Sequence, residues 1–186
     1  MFRKSLIMKA TLLYIIDPDT FEVLLATKGR GVGAGFLFGY GGKLEDEDGG
    51  DMKKCTIREF KDESGGVSIE KYYEKLEPMA LIRFFRGEDK NPLIDEPSFE
   101  VLCFRLFASS SEFVKVIDTD EMEQPTWFKI NDIPFNNPTK MKPGDELFVP
   151  HVISGNTVKG YIWFEKETNK VIGSQIDFCT KEALLA

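Results

Sequence analysis

The stretch GGKLEDEDGGDMKKCTIREFKDESGG, Gly41 to Gly66, decides how the chain is read. Between Asp51 and Ser64 it contains neither Pro nor Gly, and the pair Gly65–Gly66 follows, which predicts a helix over about 51–64 with a glycine stop. At about 100° per residue, Glu59, Asp62 and Glu63 fall within one arc of roughly 100°, while Lys54, Arg58 and Lys61 point away from it. Acids crowded on one helix face repel one another by some tenths of a kcal/mol per i,i+4 pair. Such a face is either simply solvated or holds a divalent cation, since Mg²⁺ takes oxygen ligands and one or two carboxylates plus substrate phosphates suffice.

Upstream, RGVGAGFLFGYGG carries six glycines from Gly31 to Gly42. Alone, such a run is a set of turns as readily as a phosphate cradle. Its Gly-Gly-Lys end beside an acidic helix shifts the balance towards the cradle. Further out, Leu12 to Ile16 and Val23 to Ala26 flank DPDTFE and read as a hairpin. Met79 to Arg86 and Phe99 to Phe107 read as long strands separated by GEDKNPLIDEP, expected as a mobile loop. PTWFKI reads as a short strand, ELFVPHVI as a second helix blemished by Pro150, and Gly160–Phe164 with Val171–Phe178 as a closing hairpin around ETNK. Strands mixed with two helices predict an α/β fold, a mixed sheet covered by helices, in one domain over 1–186. Residues 1–8 are expected as a flexible extension.

Composition removes several function classes. The chain holds 24 Lys+Arg against 31 Asp+Glu, a net charge of -7, which argues against a broad basic face for a nucleic acid polymer. At 42% hydrophobic residues it can bury a sizeable core. Cys55, Cys103 and Cys179 form no C-x-x-C pair and read as reduced thiols. The N-terminal MFRKSLIMKA has an apolar stretch of only LIM, too short for a signal peptide or a membrane span, so a cytoplasmic monomer is expected. His151 is the only histidine, reads as structural, and disfavours a Ser-His-Asp triad.

The 41–66 stretch resembles the signature of the Nudix hydrolases, G-x5-E-x7-R-E-U-x-E-E-x-G-U, where U is bulky and apolar. REFKDESG supplies Arg58, Glu59, Phe60, Asp62, Glu63 and Gly65 in register. The similarity extends to the oxidised-purine nucleoside triphosphatases (MutT-like 8-oxo-dGTPases) of that family. KATLLYIIDP, RGVGAGFLFGYGGKL, DTDEMEQPTWFKINDIPF, ELFVP and KGYIWF follow in the same order, so that the likeness runs from about Lys9 to Phe178.

The resemblance implies an α/β/α sandwich with a central mixed sheet and the catalytic helix at about 51–64. It implies hydrolysis of a nucleoside triphosphate to a nucleoside monophosphate and pyrophosphate with Mg²⁺ or Mn²⁺. By motif, Glu59, Asp62 and Glu63 would be metal ligands, with the Gly41 carbonyl and Glu121 as further ligands. Arg58 joins the catalytic set. Glu63 and Glu121 both stand as candidate general bases. Lys43, and less so Lys28, are candidate phosphate contacts; both also read as surface lysines, the favoured reading for Lys28. Counted back from Arg58, the first signature Glu falls on Gly50, and the glycine-to-arginine span is about two residues longer; Asp51, Asp48 and Glu47 are the candidate stand-ins, none of them in that register. Asp62 replaces a usual Glu, and Gly66 replaces an apolar residue for which Val67 is the substitute.

The base pocket departs further. In the oxidised-purine subgroup an Asn, a Trp and an Asp pair read the base; here they fall on Phe38, near Lys142, and on Gly144 and Asp145, so that only Asp145 keeps its character. Phe38, Phe84, Phe85 and Phe164 are candidates for stacking, and core packing is the plainer reading for most of the sixteen phenylalanines. Alternatives are the same chemistry on ADP-ribose, a nucleotide sugar or a dinucleoside polyphosphate, or a nucleotide-binding module whose catalysis has lapsed.

Overall fold

The computed structural model describes residues 7–185. In chain order they form β1 (Met8–Asp17), β2 (Glu22–Lys28), β3 (Leu37–Phe38), α1 (Met52–Glu63), β4 (Glu77–Arg86), β5 (Phe99–Phe107), β6 (Met122–Lys129), α2 (Val149–Ser154), β7 (Val158–Phe164), β8 (Val171–Phe178) and α3 (Lys181–Leu185). The strands make one mixed sheet in the order β3-β2-β1-β5-β4-β7-β8, with β6 also paired to β2. β1 lies parallel to β5 and β4 to β7, and the remaining pairs are antiparallel. Both expected hairpins form, β1–β2 and β7–β8. Residues 1–6 of the expected N-terminal extension lie outside the described residues. Met8, its last residue, already pairs with Phe99 as the start of β1.

Alternation along β1 explains the layering. Leu12, Tyr14 and Ile16 join the core under α2, and Leu13 and Ile15 join the core under α1. A strand apolar on both sides is covered on both sides, and the result is the anticipated α/β/α sandwich. Phe60 anchors α1: it is fully buried, with its ring 4.9 Å from Tyr40 and 5.9 Å from Phe113 in edge-on contacts. Truncating so packed a phenylalanine to alanine typically costs about 3–5 kcal/mol.

The ends of α1 follow from local chemistry. Asp51 caps it, accepting hydrogen bonds from the Lys53 and Lys54 amides at 2.8 and 3.2 Å, and Tyr73 steadies the cap from the other oxygen at 2.6 Å. Gly65 and Gly66, at φ 77° and 98°, end the helix in a backbone region that side-chain-bearing residues avoid. Val67 packs against the α1 core, filling the apolar position that Gly66 vacates.

The second helix is shorter than ELFVPHVI suggests. Asp145–Leu147 form a 3-10 turn, and α2 begins at Val149 after a break at Phe148. Pro150 is no blemish: it stands in the first turn, where its missing N–H has no helical partner to lose. The 87–98 segment is tied to the sheet, with the Trp163 indole N–H donating to the Lys90 carbonyl at 2.9 Å. All three cysteines are free. No helix among the described residues is long and apolar enough to cross a membrane. His151 stacks edge-on against Phe178 at 5.0 Å, as befits a structural role.

Candidate active site

A cavity of about 960 Å³ opens between the end of α1, the glycine-rich run after β2, and the α2 side of the sheet. Its lining contains Lys28, Phe38, Gly41, Lys43, Arg58, Glu59, Asp62, Glu63, Phe84, Glu121, Asp145 and Phe164. Phe85, the remaining stacking candidate, does not line it: successive strand residues face opposite sides, and Phe85 is buried against Trp163 at 5.7 Å. The lining residues do not share one environment.

Glu63, in the last turn of α1, is 1% exposed. One of its oxygens is ion-paired to the Lys28 ammonium and the other accepts from the Gly41 amide at 2.8 Å. Burial pushes its carboxyl up to about 7, against the opposing pull of Lys28 and the Gly41 N–H. Lys28 is therefore a half-buried partner of the acids rather than a surface lysine. It stands at the inner end of β2, where the sheet carries it beneath α1, and it also reaches Glu121 at 3.5 Å. Arg30 holds Glu121 from the other side, and that bond keeps the Glu121 carboxyl below its usual range. Glu121 is thus brought to Glu63 through a shared ammonium.

Glu59 lies one turn back, accepting from Arg58 Nη1 at 2.8 Å, and burial raises its carboxyl. Its position depends on Gly42: a Cβ there would sit 2.4 Å from the Glu59 carboxyl carbon. Asp62 is exposed at the cavity rim, and so is Lys43. Among the described residues no three acids stand in a ready-made metal cage. Gly41 offers Glu63 its N–H.

Arg58 resolves the apparent loss at Gly50. Its guanidinium donates from Nε to Asp48 Oδ1 at 3.0 Å and from Nη2 to Asp48 Oδ2 at 2.8 Å. The same Nη2 donates to the Lys43 carbonyl at 2.9 Å, tying the Gly-Gly-Lys end to the helix. Asp48 is buried, and Arg58 holds its carboxyl below the usual range. The signal was present: counting G-x5-E forward from Gly42 lands on Asp48, whereas counting back from Arg58 lands on Gly50. The two extra residues of the span lie after Asp48, in the Gly49–Gly50 turn.

On the α2 side the cavity is walled by Phe38, Phe84, Phe148 and Phe164. Phe84 and Phe164 stack at 5.9 Å between ring centres, and Lys142 lies over both rings at 4.9 and 5.2 Å. Asp145 is 2% exposed, and burial pushes its carboxyl up to about 7 while Lys142 draws it down. Lys142 was legible only as a departure from an expected tryptophan, and the structure makes it part of the wall.

Residues 7–152 match the NUDIX domain family. The chain is 30% identical over 156 residues to an oxidized purine nucleoside triphosphate hydrolase of Danio rerio, covering 83% of this chain and 85% of that protein. It is 27% identical over 157 residues to the Mus musculus protein of the same name, covering 84% and 86%. Its fold is similar to the crystal structure of a NUDIX hydrolase from Nitrosomonas europaea, with a TM-score of 0.57 at 15% identity over 89% of this chain and 83% of that one. The chain belongs to the Nudix hydrolase family. Nudix hydrolases act on small nucleotide substrates and generally use a divalent metal.

Proposed function

We propose that this chain, acting as a monomer, hydrolyses the diphosphate bridge of nucleoside triphosphates to a nucleoside monophosphate and pyrophosphate with the help of Mg²⁺ or Mn²⁺. Oxidised purine nucleotides such as 8-oxo-dGTP are the leading substrates. The observation that carries this reading is one cavity joining the acids of α1 to an aromatic-walled pocket. Such a cavity suits a ligand with a polyphosphate at one end and a flat base at the other. The names of the two vertebrate relatives support the oxidised-purine assignment.

The donor chemistry fits a hard divalent cation. Glu59, Asp62, Glu63 and Glu121 offer only oxygen, and Gly42 leaves room for the Glu59 carboxylate. These four residues would hold the ion. When bound, it neutralises charge on phosphoryl oxygens and lowers the pKa of coordinated water. Each Glu63 oxygen already has one partner, so an ion bound through Glu63 would contend with the Lys28 ammonium for the same carboxylate. Lys28, once released, has a cationic reach towards phosphate oxygens, as do Arg30 and Lys43 at the rim. Arg58 acts as a positioning residue, fixing Glu59 and the Lys43 backbone. Glu63 and Glu121 remain the two candidates for the group that accepts the water proton.

The Asp48–Arg58 pair weighs against a lapsed binding module, since the helix support that Gly50 seemed to lack is supplied from Asp48. Another nucleoside diphosphate derivative is the second reading, favoured by Phe38 and Lys142 at positions where the oxidised-purine subgroup reads its base. A panel of nucleoside triphosphates, ADP-ribose, nucleotide sugars and dinucleoside polyphosphates, assayed with Mg²⁺ for pyrophosphate or phosphate release, separates the two. Fastest turnover of 8-oxo-dGTP supports the proposal, and exclusive turnover of a diphosphate derivative contradicts it.

A further inference from the structure

We propose that Lys142 is the base-reading residue of the cavity and that it selects purines carrying an oxygen, rather than an amino group, at the 6-position. The inference rests on the nucleoside triphosphate reading above and adds its base preference.

The backbone fixes Lys142. The Leu37 amide donates to the Lys140 carbonyl at 2.8 Å, and Met141, 2% exposed, bridges to Leu37, so that the segment is fastened to β3. The Asp145 amide then donates to the Lys142 carbonyl at 3.1 Å, closing a turn that sets the two side chains on one wall. The Lys142 ammonium lies over the stacked Phe84 and Phe164 rings, 4.9 and 5.2 Å from their centres. Among the described residues it forms no ion pair. An ammonium has three donors and no acceptor. Half-buried over aromatic rings, it favours an acceptor brought in by a ligand.

Asp145 completes the pattern. It lines the same cavity, three residues on, with a buried carboxyl able to accept. Donor and acceptor therefore line the same cavity. A 6-oxopurine presents the complementary edge, the O6 acceptor next to the N1–H donor. A 6-aminopurine presents the reverse, and its amino hydrogens would face the ammonium. Phe38 contributes a ring and no hydrogen bond to that edge.

The test compares wild type, Lys142→Met and Lys142→Arg. Met keeps an apolar stem over the rings, and Arg keeps the donors. Two ratios are measured: kcat/KM for dITP against dATP with Mg²⁺, and calorimetric binding of IMP against AMP. Losing a hydrogen bond to a charged group changes affinity by about tenfold or more. Wild type is expected to favour dITP and IMP by that factor, Lys142→Met to lose the preference, and Lys142→Arg to keep it. If Lys142→Met folds and retains the wild-type preference, or if wild type prefers dATP, the assignment is overturned while the hydrolase reading stands. If no triphosphate is hydrolysed but IMP still outbinds AMP through Lys142, the assignment holds and the hydrolase reading falls. Absence of both hydrolysis and binding overturns both.

Discussion

Arg58 and Asp48, ten positions apart in the sequence, form a two-pronged ion pair, Nε to Oδ1 at 3.0 Å and Nη2 to Oδ2 at 2.8 Å. The pair holds the turn before α1 against the helix that carries Glu59 and Glu63. Removing one partner of a buried pair leaves the other uncompensated and typically costs about 3–5 kcal/mol. Arg58 keeps some contact with water, so Asp48→Ala is expected to cost less, about 2–3 kcal/mol. Chemical denaturation checks the stability, and turnover should fall with it. A Glu introduced at Gly50 should not restore either, because the turn places that position away from the guanidinium; recovery in the double variant would contradict the pairing.

Lys28 is expected to set the response to metal. In Lys28→Met, Glu63 loses the Lys28 ammonium and gains from any ion that replaces it. Without Mg²⁺ the variant should melt below wild type. Saturating Mg²⁺ should then raise its Tm more than it raises that of wild type, since a ligand bound only by the folded state stabilises by mass action. Equal metal-induced shifts would show that Lys28 does not contend for the Glu63 carboxylate.

Gly42→Ala isolates Glu59. The new Cβ would lie 2.4 Å from the Glu59 carboxyl carbon, and the flexible end of that side chain, rather than the backbone, must move. The expected outcome is a folded protein, with Tm within a few degrees of wild type, whose turnover drops by about tenfold or more as Glu59 leaves its place. Undiminished turnover would remove Glu59 from the site.

Asp145 predicts a pH dependence of stability. Its folded-state carboxyl is pushed up to about 7 by burial from an ordinary value of 3.8. Between those values the folded protein keeps a proton that the unfolded chain has released. Unfolding free energy contributed by this group therefore falls as pH rises from about 4 to about 7, and levels off above. Asp145→Asn should abolish that decline, which is on the order of 2–4 kcal/mol. Denaturant titrations at pH 5 and pH 8 give the comparison; an identical pH slope in the variant would place a solvated carboxylate at 145.

Much of this was legible in advance. Strands such as Leu12–Ile16 announce themselves because burial on both faces demands a continuous apolar run, and α1 is marked by a stretch free of Pro and Gly that ends at a glycine pair. The cavity's acids were readable because Arg58, Glu59, Asp62 and Glu63 sit at fixed spacing on one helix. What was not legible depends on contacts between distant segments. Lys28 looks like any lysine at a strand end until the sheet carries it under Glu63, 35 residues on. Asp48 was one of three candidate stand-ins for the missing Glu, and the two-residue lengthening of the turn hid which of them meets Arg58. Lys142 gains meaning only from Phe84 and Phe164, brought beneath it by strands far away in sequence.

Glu63→Gln is the most direct test of the account. The substitution keeps size and can preserve the bond from the Gly41 amide while removing the charge that a metal ion or a departing water proton needs. With Mg²⁺ and nucleoside triphosphate, pyrophosphate release should fall by about 100- to 10,000-fold with the melting transition retained. Release at the wild-type rate from a folded Glu63→Gln protein would contradict the assignment of these acids as the hydrolytic centre.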